Sequence, residues 1–400
     1  MRIAHLADLH LGYRQYQRLN RNGINQREAD VAQAFTRAVD GIMDAAPDLV
    51  IIAGDIFHSV RPTNPAILHA FNQFRRLKEC VSNPAVILLA GNHDTPRSVE
   101  TGSILRLFES FERFEVVISE ARRVEFPTHE TSVLCVPHAA LVADDRPAFA
   151  PDADFRHNVL VTHGEVAGVI PGDDVREFGG AVIEPEDLQL ARWSYVALGH
   201  YHVSHPVAPN IWFSGSLEYV STNPWGEMKH EEASGRGGKG WLWVELGRKT
   251  KVEFHRVELA RKYIDLPVVW GGGMSPEELD QVISERVAEA DGGIDGNVVR
   301  LLIRDVPRPI ARDINHKLIR EYKTRALNFN LDLRRPQISR AVGVGSPGVR
   351  RTIPETVLEY LERRPLDASI DRRRLLDLAR EHLGVLEEDS MQEEPVEELL

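Results

Sequence analysis

Cysteine is nearly missing from this chain. Cys80 and Cys135 are the only two in 400 residues, far apart and without CxxC spacing, which excludes a thiolate zinc site and points to a reducing, cytoplasmic setting. Any metal must then use nitrogen and oxygen ligands. No stretch reaches the roughly 18 unbroken apolar residues of a membrane span, and Met1-Arg2-Ile3-Ala4-His5 reads as a strand rather than a signal peptide. The glycine clusters Gly271-Gly272-Gly273 and Gly292-Gly293 are turns, without phosphate-loop spacing nearby. Basic charge is also short. The net charge of −12 argues against a nucleic-acid partner until its placement is counted: seven acidic residues and no basic one lie from Gly384 to Leu400, and 18 Lys or Arg face nine Asp or Glu between Arg300 and Arg374. A global charge test would mislead here.

What the chain does have is a repeated pattern. Val86 to Asp94 reads Val-Ile-Leu-Leu-Ala-Gly-Asn-His-Asp, five apolar residues of a buried strand running through a glycine into three side chains able to bind a metal or move a proton. Four more apolar runs end the same way. Ile3 to Leu6 leads to Asp8 and His10, whose spacing of two puts both on one face if the chain stays extended. Leu49 to Ala53 leads through Gly54 to Asp55 and His58, Asn158 to Thr162 to His163, and Tyr195 to Leu198 to His200 and His202. The set Asp8, His10, Asp55, Asn92, His163, His200 and His202 is large enough for two ions, and one sheet could bring it to a common edge. Asp55 can bridge because each carboxylate oxygen can take one ion. Imidazole, carboxylate and amide without thiolate suit Mn²⁺, Fe²⁺ or Zn²⁺.

Helical spacing over Glu28 to Ala45 and Pro65 to Glu79 predicts two helices packed on the sheet, with a shorter one over Ser103 to Phe111. The loop Gly12 to Gln26 interleaves arginines with Tyr13 and Tyr16, which suits phosphate contacts and equally suits a solvated surface. Pro171 to Gly180 reads as a loop over the site. Gly215-Ser216 could offer backbone N–H groups to a substrate, and Trp241 to Leu246 closes the sheet. Pro276 to Ala290, Val298 to Val306, Pro309 to Arg325 and Asn328 to Leu333 predict a helix, strand, helix, strand unit. Two amphipathic helices follow, Pro354 to Arg363 and Asp371 to Leu383, of the short kind that wants a partner surface.

The motif order D-x-H, G-D-x-x-H, G-N-H-D, H-G and G-H-x-H resembles the calcineurin-like metallophosphoesterase superfamily over about Met1 to Leu246. Asp8 to Tyr13, Gly54 to His58 and Gly215 to Glu218 are similar to its DNA-repair exonuclease branch, of the SbcD and YhaO type. The resemblance implies a four-layer αββα sandwich over 1–256 and a small α+β capping, DNA-binding domain over 257–336. A flexible linker (337–353), a helical partner-binding segment (354–386) and an acidic tail (387–400) would follow. It further implies that Asp8, His10, Asp55 and His202 hold a first metal, and Asp55, Asn92, His163 and His200 a second, manganese being the usual ion. His93 would be general acid, Asp94 its orienting carboxylate and His58 a phosphate contact.

The expected function is a two-metal-dependent DNA phosphodiesterase, a 3′–5′ exonuclease with single-strand endonuclease action left open. The expected partners are DNA, an SMC-like ATPase of the SbcC type bound through the C-terminal helices, and a second copy in a homodimer. A cyclic-nucleotide or other small-molecule phosphoesterase, or a scaffold without chemistry, are the alternatives.

Overall fold

Alternation of apolar side chains decides which layer each one enters, and every central strand here is apolar on both faces. The structure, a computed structural model, describes residues 1–80, 82–96, 102–169, 180–188, 192–336, 353–364 and 370–380. In chain order the first strands are β1 (Arg2–Leu6), β2 (Leu49–Ala53), β3 (Ala85–Leu89), β4 (Phe114–Val117), β5 (Arg122–Phe126), β6 (Thr131–Val136) and β7 (His157–His163). The short pair β8 (Glu165–Val166) and β9 (Val182–Ile183) precedes β10 (Tyr195–Gly199), β11 (His205–Ala208), β12 (Ile211–Phe213), β13 (Gly240–Glu245) and β14 (Lys251–Arg256). They build two six-stranded sheets, β14-β13-β1-β2-β3-β4 and β11-β12-β10-β7-β6-β5. The sequence reading of one common sheet is therefore corrected: the ligand-bearing strands are split between two. β14 pairs outside β13, so Trp241 to Leu246 does not close the first sheet either.

Ile51, Ala53, Ile87 and Leu89 of the first sheet meet Val133, Cys135, Val161 and Ala197 of the second in one core. The alternate residues Val50, Ile52, Val86 and Leu88 pack instead under the helices α1 (Gln26–Ala45) and α2 (Asn64–Lys78). Both helices start as capping chemistry requires: the Asn25 side chain accepts the N–H groups of Arg27 and Glu28, and Thr63 that of Ala66. The outer face of the second sheet is covered, among the described residues, by the four-residue α3 (His138–Leu141) and by loop residues such as Phe149, Leu188 and Trp193. Among the described residues the long helices α1 and α2 flank one side of the sheet pair, and the two mixed sheets packed on one core are consistent with the expected sandwich.

After α4 (Pro224–Ala233) the chain forms β15 (Tyr263–Trp270), α5 (Pro276–Ala288), β16 (Val298–Arg304), α6 (Arg308–Asp313), α7 (His316–Arg325) and β17 (Asn328–Leu333). The three strands make a parallel sheet with its own core around Leu279, Ile283, Leu301 and Phe329. The single helix expected over Pro309 to Arg325 breaks at Ile314, because Asn315 caps a new helix by accepting the Leu318 N–H. This sheet belongs with the first two in one compact unit, Met1–Arg335.

Arg27 is one of the ties within that unit. Fully buried on α1, it bonds Asp30 (3.0 Å) and the Tyr219 carbonyl (2.7 Å), lies 3.2 Å from Glu218, and sits over the Tyr263 ring at the start of β15. Arg27 is thus structural rather than a nucleic-acid contact, while the half-exposed Arg14 pairs with Glu28 at 2.7 Å. Arg27→Met leaves the buried Glu218 carboxylate without its cation and is expected to cost about 3–5 kcal/mol, read as a lower urea midpoint for the metal-free protein.

A second unit, Pro336–Leu400, contains α8 (Ile353–Arg363) and helical backbone over 372–380. The Arg372 guanidinium donates to the carbonyls of Leu361 and Arg364, each at 2.8 Å, and so closes the end of α8. The expected linker up to 352, the tail over 387–400, the helical segment beyond 380 and most of the Pro171 to Gly180 loop lie outside the described residues.

Candidate metal centre

Parallel strands end together, so β1, β2 and β3 of one sheet and β7 and β10 of the other deliver their following residues to one place. The backbone turns sharply there. Asp8, His10, Asp55 and His200 all have positive φ, at 53°, 45°, 52° and 99°, a conformation that is costly for such side chains and that clusters at functional sites. The extended geometry expected across Asp8 and His10 is therefore not what aligns them. Glycine supplies the room: a side-chain carbon on Gly54 would fall on the His163 ring, one on Gly91 on the Asp55 carboxylate, and one on Gly199 on the Ala53 carbonyl. Gly199→Ala is expected to destabilise the protein by about 3 kcal/mol and to weaken metal uptake, measured by thermal unfolding and metal titration.

All seven candidate ligands converge, and six of them, all but half-buried Asn92, are buried. Asn92 Oδ1 lies 3.0 Å from His163 Nε2 and 3.3 Å from His200 Nδ1, and His163 Nε2 lies 3.3 Å from Asp55 Oδ2. Beside them His10 Nε2 faces His202 Nε2 at 3.1 Å and lies 3.7 Å from Asp55 Oδ2. Ligand atoms about 2.1 Å from one octahedral ion lie about 3 Å apart, so these spacings are compatible with coordination of a shared ion. Asp8, His10 and His202 form one group able to hold an ion, and Asp8, Asp55 and His163 another.

The polar atoms fit a cation in three further ways. Asp55 Oδ1 accepts the His93 N–H at 2.9 Å, while Oδ2 is buried without a hydrogen-bond partner. Two imidazole nitrogens facing each other repel unless a proton or cation lies between them. His163 donates from Nδ1 to the Ala53 carbonyl at 2.8 Å, which turns Nε2 toward Asp55, the usual orientation of a ligating imidazole. Burial works against a charged His163, but the Asp55 and Asp8 carboxylates outweigh it and push its pKa up to about 10. Burial likewise opposes ionised Asp55, yet His163, His10 and His93 hold it below the usual carboxylate range. Positive charge is thus demanded at the position an ion would take.

His58 and His93 stack beside this group, ring centroids 5.2 Å apart, and His10, His58 and His93 form a third cluster. His93 Nδ1 lies 2.7 Å from the His58 carbonyl. Asp94 is employed otherwise: it accepts the backbone N–H groups of Ile56 and Phe57 at 3.0 Å and Gly91 at 3.2 Å, clasping the turn after β2 to the turn after β3. Burial and the Asp55 charge push its carboxyl up to about 7 against those bonds. The carbonyl, not Asp94, orients His93, which corrects the reading from sequence adjacency. The Ser216 N–H bonds the His202 carbonyl at 3.1 Å, so Gly215-Ser216 supports the His202 loop and does not offer that donor to a substrate. Sequence reasoning missed Glu227 and Lys239, buried beside His202; the run Gly235-Arg236-Gly237-Gly238-Lys239-Gly240 was the available signal.

A family profile described as calcineurin-like phosphoesterase matches residues 1–204, half of the chain, and so takes in every one of these ligands. The chain belongs to the calcineurin-like phosphoesterase family. Buried His and Asp groups of this kind are typical of its dimetal sites. The chain is also similar to archaeal proteins named DNA double-strand break repair protein Mre11. Identity is 29% with that of Methanocaldococcus jannaschii, over 62% of this chain and 63% of that protein. It is 30% with that of Sulfolobus acidocaldarius, over 50% of each, and 27% with that of Methanopyrus kandleri, over 76% of this chain and 65% of that protein. The chain thus spans less than two thirds of these relatives. Among the described residues, no helix is long and apolar enough to cross a membrane.

Proposed function

We propose that this chain is a two-metal DNA phosphodiesterase, an Mre11-like repair nuclease working in the cytoplasm, and that manganese is its ion. The observation that carries the reading is the convergence of His163 of one half-site and His10 of the other on the buried Asp55 Oδ2. Asp8, His10, Asp55 and His202 would hold one ion, and Asp55, Asn92, His163 and His200 the other. When bound, such a pair clamps a phosphate and lowers the pKa of water toward neutrality.

The protein's own groups supply the rest. With His10 Nε2 turned to the ligand cluster, its Nδ1–H donates to His58 Nδ1, 3.3 Å away. His58 then keeps its proton on Nε2 and can present it to a phosphate oxygen. His93, as imidazolium, gives Nδ1–H to the His58 carbonyl, and Nε2–H is the proton for the departing 3′ oxygen.

Two features favour DNA over a small phosphoester. The relatives bear a DNA-repair name, and α6 and α7 expose Arg308, Arg312, Lys317, Arg320 and Lys323, a basic surface that a small substrate does not require. The two C-terminal helices suit an SbcC-type ATPase partner, and a homodimer is compatible with the fold. Polarity is proposed as 3′–5′. Purified protein in Mn²⁺ is expected to degrade linear DNA and leave cyclic nucleotides intact; the opposite preference sinks the DNA reading. Adding the ATPase partner is expected to stimulate the cleavage.

A further inference from the structure

We propose that Glu227 is the carboxylate that positions His202 as a metal ligand, with the buried Lys239 holding it there. The proposal rests on the reading of His202 as a ligand and extends it to residues outside the ligand set. α4 carries Glu227 and Glu231 one turn apart, 1% and 3% exposed, and Lys239, just before β13, is 2% exposed. The Lys239 ammonium donates to the His202 carbonyl at 2.9 Å and to Glu227 Oε2, and lies 3.0 Å from Glu231 Oε1. It therefore fixes the His202 backbone and the Glu227 side chain with one group.

The two glutamates are not equivalent. Glu231 Oε2 accepts the Tyr219 hydroxyl at 2.7 Å and the Gly238 N–H at 3.1 Å, so it closes the local fold. Glu227 Oε1 and Glu231 Oε1 are both buried without a hydrogen-bond partner, but Glu231 Oε1 faces the Lys239 ammonium, whereas Glu227 Oε1 lies 3.7 Å from His202 Nδ1. His202 Nε2 points the other way, at His10. A neutral imidazole that ligates through Nε2 carries its proton on Nδ1, and a movement of under about 1 Å brings that proton to Glu227 at ordinary hydrogen-bond length. A carboxylate behind a ligating histidine fixes its ring and raises its basicity. Charge balance points the same way: two buried carboxylates face one ammonium, and a cation held at His202 would compensate the excess negative charge.

The test is calorimetric titration of the metal-free full chain with Mn²⁺. The wild type is expected to take two ions, Glu227→Gln to bind one of them about 10- to 100-fold more weakly, and Glu231→Gln to bind both within about twofold of wild type. If Glu227→Gln alone folds poorly, Glu227→Asp, which keeps a negative charge beside Lys239 and shortens its reach to His202, carries the same measurement. Wild-type affinity in the Glu227 variants, or an equal loss in Glu231→Gln, overturns the proposal and leaves a folding clasp. A wild type that takes up no Mn²⁺ overturns the two-metal reading itself.

Discussion

Asp55→Asn is expected to abolish the binding of the ion pair and to reduce phosphodiester cleavage by roughly 10⁴-fold, the scale on which residues acting as one unit fail together. The substitution is nearly isosteric. Its side-chain oxygen can still accept the His93 N–H that Asp55 Oδ1 takes at 2.9 Å, so the turn after β3 keeps its anchor. The amide nitrogen then replaces Oδ2, and a donor without charge faces His163 Nε2 and His10 Nε2, at 3.3 and 3.7 Å in the native chain. One change thus removes the carboxylate oxygen on which His163 of one half-site and His10 of the other converge. Because His163, His10 and His93 hold Asp55 ionised despite its burial, its carboxylate stabilises the metal-free fold at neutral pH, and the metal-free variant should unfold at a lower temperature than the wild type. Metal analysis and thermal unfolding separate the outcomes: two ions retained by Asp55→Asn would remove Asp55 from the bridging position.

The ligand positions were legible because metal chemistry and core packing make opposite demands on a strand end. Five apolar runs, each ending in His, Asp or Asn, broke the pattern that packing alone produces. The turn geometry was not legible: positive φ at Asp8, His10 and His200 is imposed by tertiary contacts such as the His200 N–H on the Asp8 carboxylate at 3.0 Å, which join segments 192 residues apart. Nor could adjacency show that Asp94 turns away from His93 to bind three backbone amides.

Elements were missed where local pattern is weak. β14 reads Lys-Val-Glu-Phe-His-Arg, an edge strand with charge on it, as edges often carry. β15 contains Pro267 where its pairing with β16 shifts register between Leu266 and Val269, the position where a sheet tolerates proline. α4 buries Glu227 and Glu231, so its inward face is charged and no apolar stripe marks it. The split of the ligand strands over two sheets was hidden for a related reason. A parallel strand buried on both faces carries no sign of which sheet it joins.

His93→Ala is expected to leave both ions in place and to slow DNA cleavage by about a hundredfold or more. The metal half follows from geometry, because the contact His93 makes with Asp55 runs through its backbone N–H and survives loss of the ring. The catalytic half turns on the proton. A departing 3′ alkoxide is a poor leaving group at neutral pH and needs Nε2–H, whereas an aryl phosphodiester expels a nitrophenolate that needs none. The same variant should therefore lose far less activity on bis-(p-nitrophenyl) phosphate than on DNA. His58, stacked on His93, gives the contrast: its proposed contact is with the phosphate, so His58→Ala should slow both substrates alike. A hundredfold loss on both substrates in His93→Ala would move His93 from the leaving group to the phosphate. Unchanged turnover on DNA would take it out of the mechanism.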